Sequence, residues 1–277
     1  MSLLDLQKAL QAQADAHQNV VTLSAAVVQG AGLQPRDNFD TLLKSRLLVQ
    51  SGLAVTVDQA IPAPEGSALA FSGKSSFLGL KEVSVSVTFT DEGGAEASGP
   101  VDLRVSTSMG DKWEFSQSFS GVQGYPFNQL TFNGATYAFT TAPTDSYTWE
   151  SQSIPLVQGL NFVAALVWGG ALGVLQDILQ DVAKLDQITL AGTVDPSALA
   201  SKPDALPTLA LVASIKTGVN SLPSYFPLSN PRVGLDTSQA TDGSNYYRLS
   251  FLTTLNIDGT PYGDLKTSLL ADSTSFG

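Results

Sequence analysis

The chain opens on a helical pattern. Leu3, Leu6, Leu10 and Ala14 recur at spacings of three and four, which lines one face of a helix. Ser2 followed by Asp5 resembles a capping pair, with Asp in place of the usual Glu. A second, short helix is expected at 38–45, capped by Asn38, with Phe39, Leu42 and Leu43 facing inward.

From about residue 53 the period changes to two. LAVTVDQAI (53–61) alternates, and KEVSVSVTFT (81–90) sets Val83, Val85, Val87 and Phe89 against Ser84, Ser86, Thr88 and Thr90. VDLRVS (101–106) sets Val101, Leu103 and Val105 against Asp102 and Arg104. KWEFSQSF (112–119) sets Trp113, Phe115 and Phe119 against Glu114, Ser116 and Ser118. Each reads as a half-buried strand, apolar on one face and wet on the other. LTFNG, ATYAFTT and DSYTWES read as three more strands. QITLAGTV (187–194), TLALVASIK (208–216), YYRLSFLTTLNI (246–257) and LKTSLLA (265–271) follow. The prolines at 196, 203, 207, 223, 227 and 231 are expected between strands, where a missing N–H does no harm.

One stretch departs from this alternation. GLNFVAALVWGGALGVLQDILQDVAKL (159–185) carries no charge before Asp177, and Phe162 to Leu175 is apolar or glycine throughout. A membrane-spanning helix needs about 20 apolar residues. This run is shorter and contains Gly169, Gly170 and Gly173. Its second half is amphipathic: Leu172, Leu175, Ile178, Leu179, Val182 and Leu185 fall on one side, Asp177, Asp181 and Lys184 on the other. Its first half, 159–168, is apolar on both faces of a strand. The expected reading is a strand covered on both sides, a corner at Gly169–Gly170, and a helix over 171–185 packed on the sheet. A membrane-inserting segment and a single buried helix are the alternatives.

These patterns predict a mainly β fold, α+β by content: an antiparallel β-sandwich or extended stacked β-sheet, with an N-terminal helical segment and one amphipathic helix on the sheet. Residues 1–52 would form the helical segment and 53–277 the β-rich body. Two ordered series suggest two divergent units in that body, 66–150 and 186–260, joined through 159–185. ALAFSG, GYPF and APTDSY form the first series; ITLAGT, SYFPL and ATDGSNY form the second. The chain stops just after a strand pattern, in LKTSLLADSTSFG, which suits an ordinary short tail and also a piece of a longer protein.

Composition narrows the function. Charged residues are only 14% of the chain, so its polar surface must be built largely of Ser, Thr, Asn and Gln. The net charge of −11 and the lack of any Lys/Arg run argue against a nucleic-acid partner, which needs cations for its phosphates. There is no cysteine, which excludes disulfides, thiol nucleophiles and Cys-based metal sites. The N-terminus carries Asp5 early and has no basic n-region or continuous apolar core, so no cleavable signal peptide is expected. A cytoplasmic protein, or one released by a signal-independent route, is expected.

Candidate chemistry is sparse. His17 is the only histidine, with a packing or surface role expected. No G-x-S-x-G elbow, phosphate-binding loop or dinucleotide fingerprint occurs. Asp91, Glu92 and Glu96 cluster in a Gly-rich turn, and Asp242, Asp258 and Asp264 lie in or beside turns; all are expected to be solvated. NIDGTPYGD (256–264) lacks the alternating ligands and terminal Glu of a calcium loop. Trp113, Trp149 and Trp168 could stack on sugars if exposed, but on alternating strands core positions are expected. One of Tyr246 and Tyr247 should be exposed, because neighbours on a strand face opposite ways.

No catalytic, cofactor-binding or metal-ligating residue is assigned, no cofactor is expected, and the balance is against an enzyme. The leading expectation is a non-enzymatic β-rich binding or structural/assembly module, alone or as a unit of a larger repeat protein. Its partner would be another protein or a second copy of itself. The first alternative is a soluble-to-membrane toxin or pore-forming component, with 159–175 refolding into lipid. The second is a carbohydrate-binding protein or carboxylate-based glycosidase.

Overall fold

The computed structural model describes residues 2–93, 99–123, 130–167, 188–203, 205–214, 228–239, 245–257 and 260–271. Strands dominate them, in a large antiparallel sheet with an N-terminal helix. Two compact units are present. The first comprises 1–109, 136–161 and 195–203; the second comprises 110–135, 162–194 and 204–277.

In the first unit, α1 (Leu3–Ala16) buries Leu3, Leu6, Leu10 and Ala14, the stripe expected. The Ser2 backbone N–H and hydroxyl both donate to the Asp5 carboxylate, at 2.9 and 3.2 Å. These bonds, the backbone one first, hold the Asp5 carboxyl below its usual range. Gln18 and Asn19 then take positive φ values of 56° and 66°, and the Asn19 N–H closes the helix end on the Ala14 carbonyl. Three short elements follow that no periodicity announced: β1 (Val20–Leu23), α2 (Ala25–Gly30) and β2 (Gln34–Pro35). They span too few residues to show a period. The expected second helix is α3 (Phe39–Arg46), which buries Phe39 and Leu43 and half-buries Leu42. Asn38 caps it by position only. It sits at φ 64°, its side chain makes no cap bond, and its carbonyl accepts the Leu42 N–H.

The sheet of this unit contains β3 (Leu53–Val57), β4 (Ala68–Phe77), β5 (Leu80–Asp91), β6 (Pro100–Gly110) and much of β7 (Thr131–Trp149) and β8 (Gln152–Val167). Their hydrogen-bonded order is β1-β3-β4-β5-β6-β7-β8, with β2 beside β6 in parallel. Inner rows form across the strands: Leu69, Phe89 and Leu103 in one, Phe71, Val87 and Val105 in the next. All six are buried, so the alternation read in the sequence is the alternation of the core. Gly73 sits where a Cβ would lie 2.5 Å from the Thr56 carbonyl oxygen, so β3 and β4 approach over a residue that must lack one.

LTFNG, ATYAFTT and DSYTWES are not three strands. They are the continuous β7 with its end, and neither Gly134 nor Pro143 interrupts it. β7 turns into β8 through Glu150 and Ser151 alone, at φ 44° and 65°. In β8, Leu160 to Leu166 are buried without alternation, as a strand covered on both sides requires. The expected corner at Gly169–Gly170 and helix over 171–185 lie outside the described residues.

In the second unit, the expected strand over 112–119 is absent. Trp113 makes one reciprocal bridge with Phe132, both bonds 2.9 Å, and short 3-10 turns follow at Phe115–Gln117 and Ser120–Val122. Phe115 and Phe119 are four residues apart, a spacing that a turn brings together as well as a strand does. Trp113, Phe115, Phe132 and Phe162 form one cluster there, with ring centroids 4.8–6.2 Å apart along its contacts. The later strands are β9 (Ile188–Asp195), β10 (Thr208–Ser214), β11 (Leu228–Gln239), β12 (Asn245–Ile257) and β13 (Thr260–Ala271). β10 through β13 pair antiparallel in succession. No alternation in the sequence predicts β11, and it contains Pro231, a proline expected between strands. The β11–β12 register shifts between Ser229 and Arg232, so this proline occupies an irregularity that needs no N–H in the ladder.

Candidate functional site

Among the described residues, the most connected polar cluster lies in the first unit. β2 runs parallel to the start of β6, pairing Gln34 with Pro100 and Pro35 with Val101. The Arg36 N–H then donates to the Val101 carbonyl at 3.0 Å. This brings the Arg36 side chain to Asp102. Nε donates to Oδ1 at 2.9 Å and Nη2 to Oδ2 at 2.6 Å, while Nη2 also lies 2.7 Å from Glu92 Oε2. The Thr141 hydroxyl donates to Asp102 Oδ1 at 3.0 Å and accepts the Leu103 N–H at 2.8 Å. The hydrogen bonds to Asp102 hold the Arg36 guanidinium protonated more firmly than a free arginine. The Asp102 side chain is 7% exposed, although alternation placed it on the wet face. Arginine covers it, so its carboxylate is an anchor for the N-terminal segment rather than a free acid.

Beside this junction, α2, β2 and α3 border an open depression of about 390 Å³. Gln29, Gln34, Arg36, Asn38, Asp40 and Thr41 line it. Asp40 is already engaged, accepting the Ala25 N–H at 2.8 Å. The lining offers polar contacts but no paired nucleophile and base.

The outer face of β3–β5 is different in kind. Thr56, Lys74 and Ser84 form one exposed row, and Ser72 and Ser86 form part of another. Apart from Lys74 these are small hydroxyl side chains, which lose little rotamer freedom when covered.

A further bond recurs. In the second unit the Thr237 hydroxyl accepts the Leu209 N–H at 2.9 Å and donates to the Pro207 carbonyl at 3.3 Å. Thr141 on β7 does the same for Leu103 on β6 as Thr237 on β11 does for Leu209 on β10. In both units a threonine on one strand serves the N–H of a leucine on the strand before it.

The candidates read in the sequence fall as follows. His17 is exposed at the end of α1. Asp91 clasps its own turn, accepting the Gly93 and Gly99 N–H groups at 2.9 and 3.2 Å. Glu92 is not merely a solvated turn acid, since it pairs with Arg36. Glu96, Asp242, Asp258 and Trp168 lie outside the described residues, as do the side chains of Tyr246, Tyr247 and Asp264. Of the 256–264 stretch, 256–257 and 260–264 lie on the antiparallel β12–β13 pair. Trp113 and Trp149 are 2% and 4% exposed, so neither ring is open to a sugar. Among the described residues, no group of three or more His, Asp or Glu is placed to hold a metal ion, and no helix is long and apolar enough to cross a membrane. Arg36, Asp102, Thr141 and Thr237 carried no motif. The only sequence signal was Asp102 and Arg104 facing outward in an otherwise hydroxyl-rich sheet.

Neither a protein-family model nor a curated protein nor a solved structure matches this chain.

Proposed function

We propose that this protein is a non-enzymatic β-rich binding or assembly module, built from two related units and contacting its partner through the outer face of β3–β5. The recurrent threonine bond carries this reading. In each unit a threonine hydroxyl accepts the N–H of a leucine on the strand before it, a shared device that related β-modules would carry. The hydroxyl face supports it, because small neutral side chains present a surface that docks with little ordering cost. Four arginines whose side chains are described support it too. Arg36, Arg46, Arg104 and Arg248 each pair with a carboxylate, Asp102, Asp195, Asp145 and Asp236 in turn, so these cations tie the fold together. The membrane-acting reading has less in its favour, because Leu160 to Leu166, within the described part of its segment, are buried.

Sedimentation velocity over a wide concentration range tests the proposal. Association is expected, and the paired Ser72→Glu, Ser86→Glu variant should lose it while keeping the circular dichroism and melting of the parent. A monomer at every concentration, together with hydrolysis of pooled polysaccharides, would overturn it.

A further inference from the structure

Asn133–Gly134 is the only Asn-Gly pair in the sequence. In such a pair the glycine nitrogen can attack the asparagine side chain, because no Cβ on the glycine hinders the approach. The N–Cγ bond forms, the Cγ–Nδ2 bond breaks, and ammonia leaves with the proton from the glycine nitrogen. Water then opens the cyclic imide to aspartate or isoaspartate. No oxidant or other reactant is needed.

The structure holds both reacting groups. The Trp113–Phe132 bridge sets the segment at 111–113 against that at 132–134. Beyond the bridge the backbone ladder is replaced by side chains. The Lys112 N–H donates to Asn133 Oδ1 at 3.1 Å, and the Gly134 N–H donates to Asp111 Oδ1 at 3.1 Å. Gly134 sits at φ 59°, a conformation glycine adopts without cost. Asn133 is exposed, so water reaches it.

We infer that Asn133 is a deamidation site whose reaction is gated by Asp111. While Asp111 binds the Gly134 N–H and Lys112 binds Asn133 Oδ1, the nitrogen and the carbonyl carbon are not free to reach attack geometry. The reaction proceeds from the fraction of molecules in which this clasp is open, so the clasp sets its rate. Conversion places a carboxylate at 133 beside Asp111, two like charges where a neutral amide stood. The converted clasp therefore stays open. This inference is independent of the proposed function.

Peptide mapping by mass spectrometry tests it, on purified protein held at mildly alkaline pH and sampled over weeks. In the parent, the amide-to-acid mass change should appear at Asn133 ahead of every other asparagine, and slowly. Asp111→Ala should accelerate it about tenfold, the loss of a hydrogen bond to a charged acceptor. Asp111→Asn, which keeps a neutral acceptor and the shape, should fall between. In denaturing urea all three should react at one rate. Equal rates for parent and both variants in native buffer would overturn the gate. Faster conversion at another asparagine in the folded parent would overturn the assignment. Thermal melting of each variant separates a lost clasp from a lost fold, and Asp111→Asn carries the comparison should Asp111→Ala unfold.

Discussion

The Arg36 guanidinium grips the Asp102 carboxylate at two points, Nε to Oδ1 at 2.9 Å and Nη2 to Oδ2 at 2.6 Å. This pair joins the N-terminal segment to β6. Arg36 is 17% and Asp102 7% exposed, so removing one partner strands a charge away from water. Arg36→Met should destabilise the protein by about 3 kcal/mol, because Asp102 keeps only the Thr141 hydroxyl. Asp102→Ala should cost about 2 kcal/mol, because Glu92 still holds Arg36. Urea unfolding of both variants measures this. A larger loss for Asp102→Ala would show that Glu92 carries none of the charge.

The two threonines should behave alike. Thr141→Val and Thr237→Val keep the shape and leave the Leu103 and Leu209 N–H groups without an acceptor. Each should cost about 1–3 kcal/mol. Hydrogen exchange at the two leucine amides, with urea unfolding, reads the effect. Protection lost at one site and unchanged at the other would overturn the proposed relation between the two units.

The β7–β8 turn carries a correctable strain. Both of its residues, Glu150 and Ser151, sit at positive φ, where Asn-Gly is the favoured pair. The double replacement Glu150→Asn, Ser151→Gly should raise stability by about 1 kcal/mol. A lowered melting temperature would mean that the parent side chains contribute contacts outweighing the backbone cost.

Gly73 should tolerate no side chain. A Cβ there would sit 2.5 Å from the Thr56 carbonyl oxygen and 2.7 Å from Val55 Cγ1. Gly73→Ala should separate β3 from β4 locally and cost about 2 kcal/mol or more. Gly66→Ala is a contrasting variant: nothing lies within 4 Å, and only its φ of 58° opposes the change. It should cost about 1 kcal/mol. Parallel melts of the two variants decide whether crowding at Gly73 exceeds backbone strain at Gly66.

The first turn of α1 should weaken in acid. The Ser2 N–H holds the Asp5 carboxyl below its usual value of 3.8. A lowered folded-state value means the bond contributes fully above that pH and is lost as pH falls through the depressed value. The protection factors of the α1 amides, which correct for the slower intrinsic exchange in acid, should therefore fall on acidification below about 3.8, and Asp5→Asn should remove that pH dependence. An unchanged profile in Asp5→Asn would assign the effect to another group.

The sequence by itself determined the helix of Leu3, Leu6, Leu10 and Ala14, and the strands whose apolar residues alternate, such as Val85, Val87 and Phe89. Burial on one face leaves a period, and the period is local. It also marked Leu160 to Leu166 as covered on both faces, because a strand with no polar side has nowhere to meet water. What it could not separate were patterns that satisfy two periods at once: Phe115 and Phe119 suit a strand or a turn, and their partners Phe132 and Phe162 are distant in the chain. Pro231 looked like a strand breaker because its place at a register shift exists only once β12 is beside it. Asp102 read as a wet-face residue because alternation reports which side a residue faces and not what comes to cover that side. Arg36, 66 residues earlier, supplies the cover. Only the tertiary structure decided that, because a buried ion pair depends on the meeting of two segments and leaves no period in either.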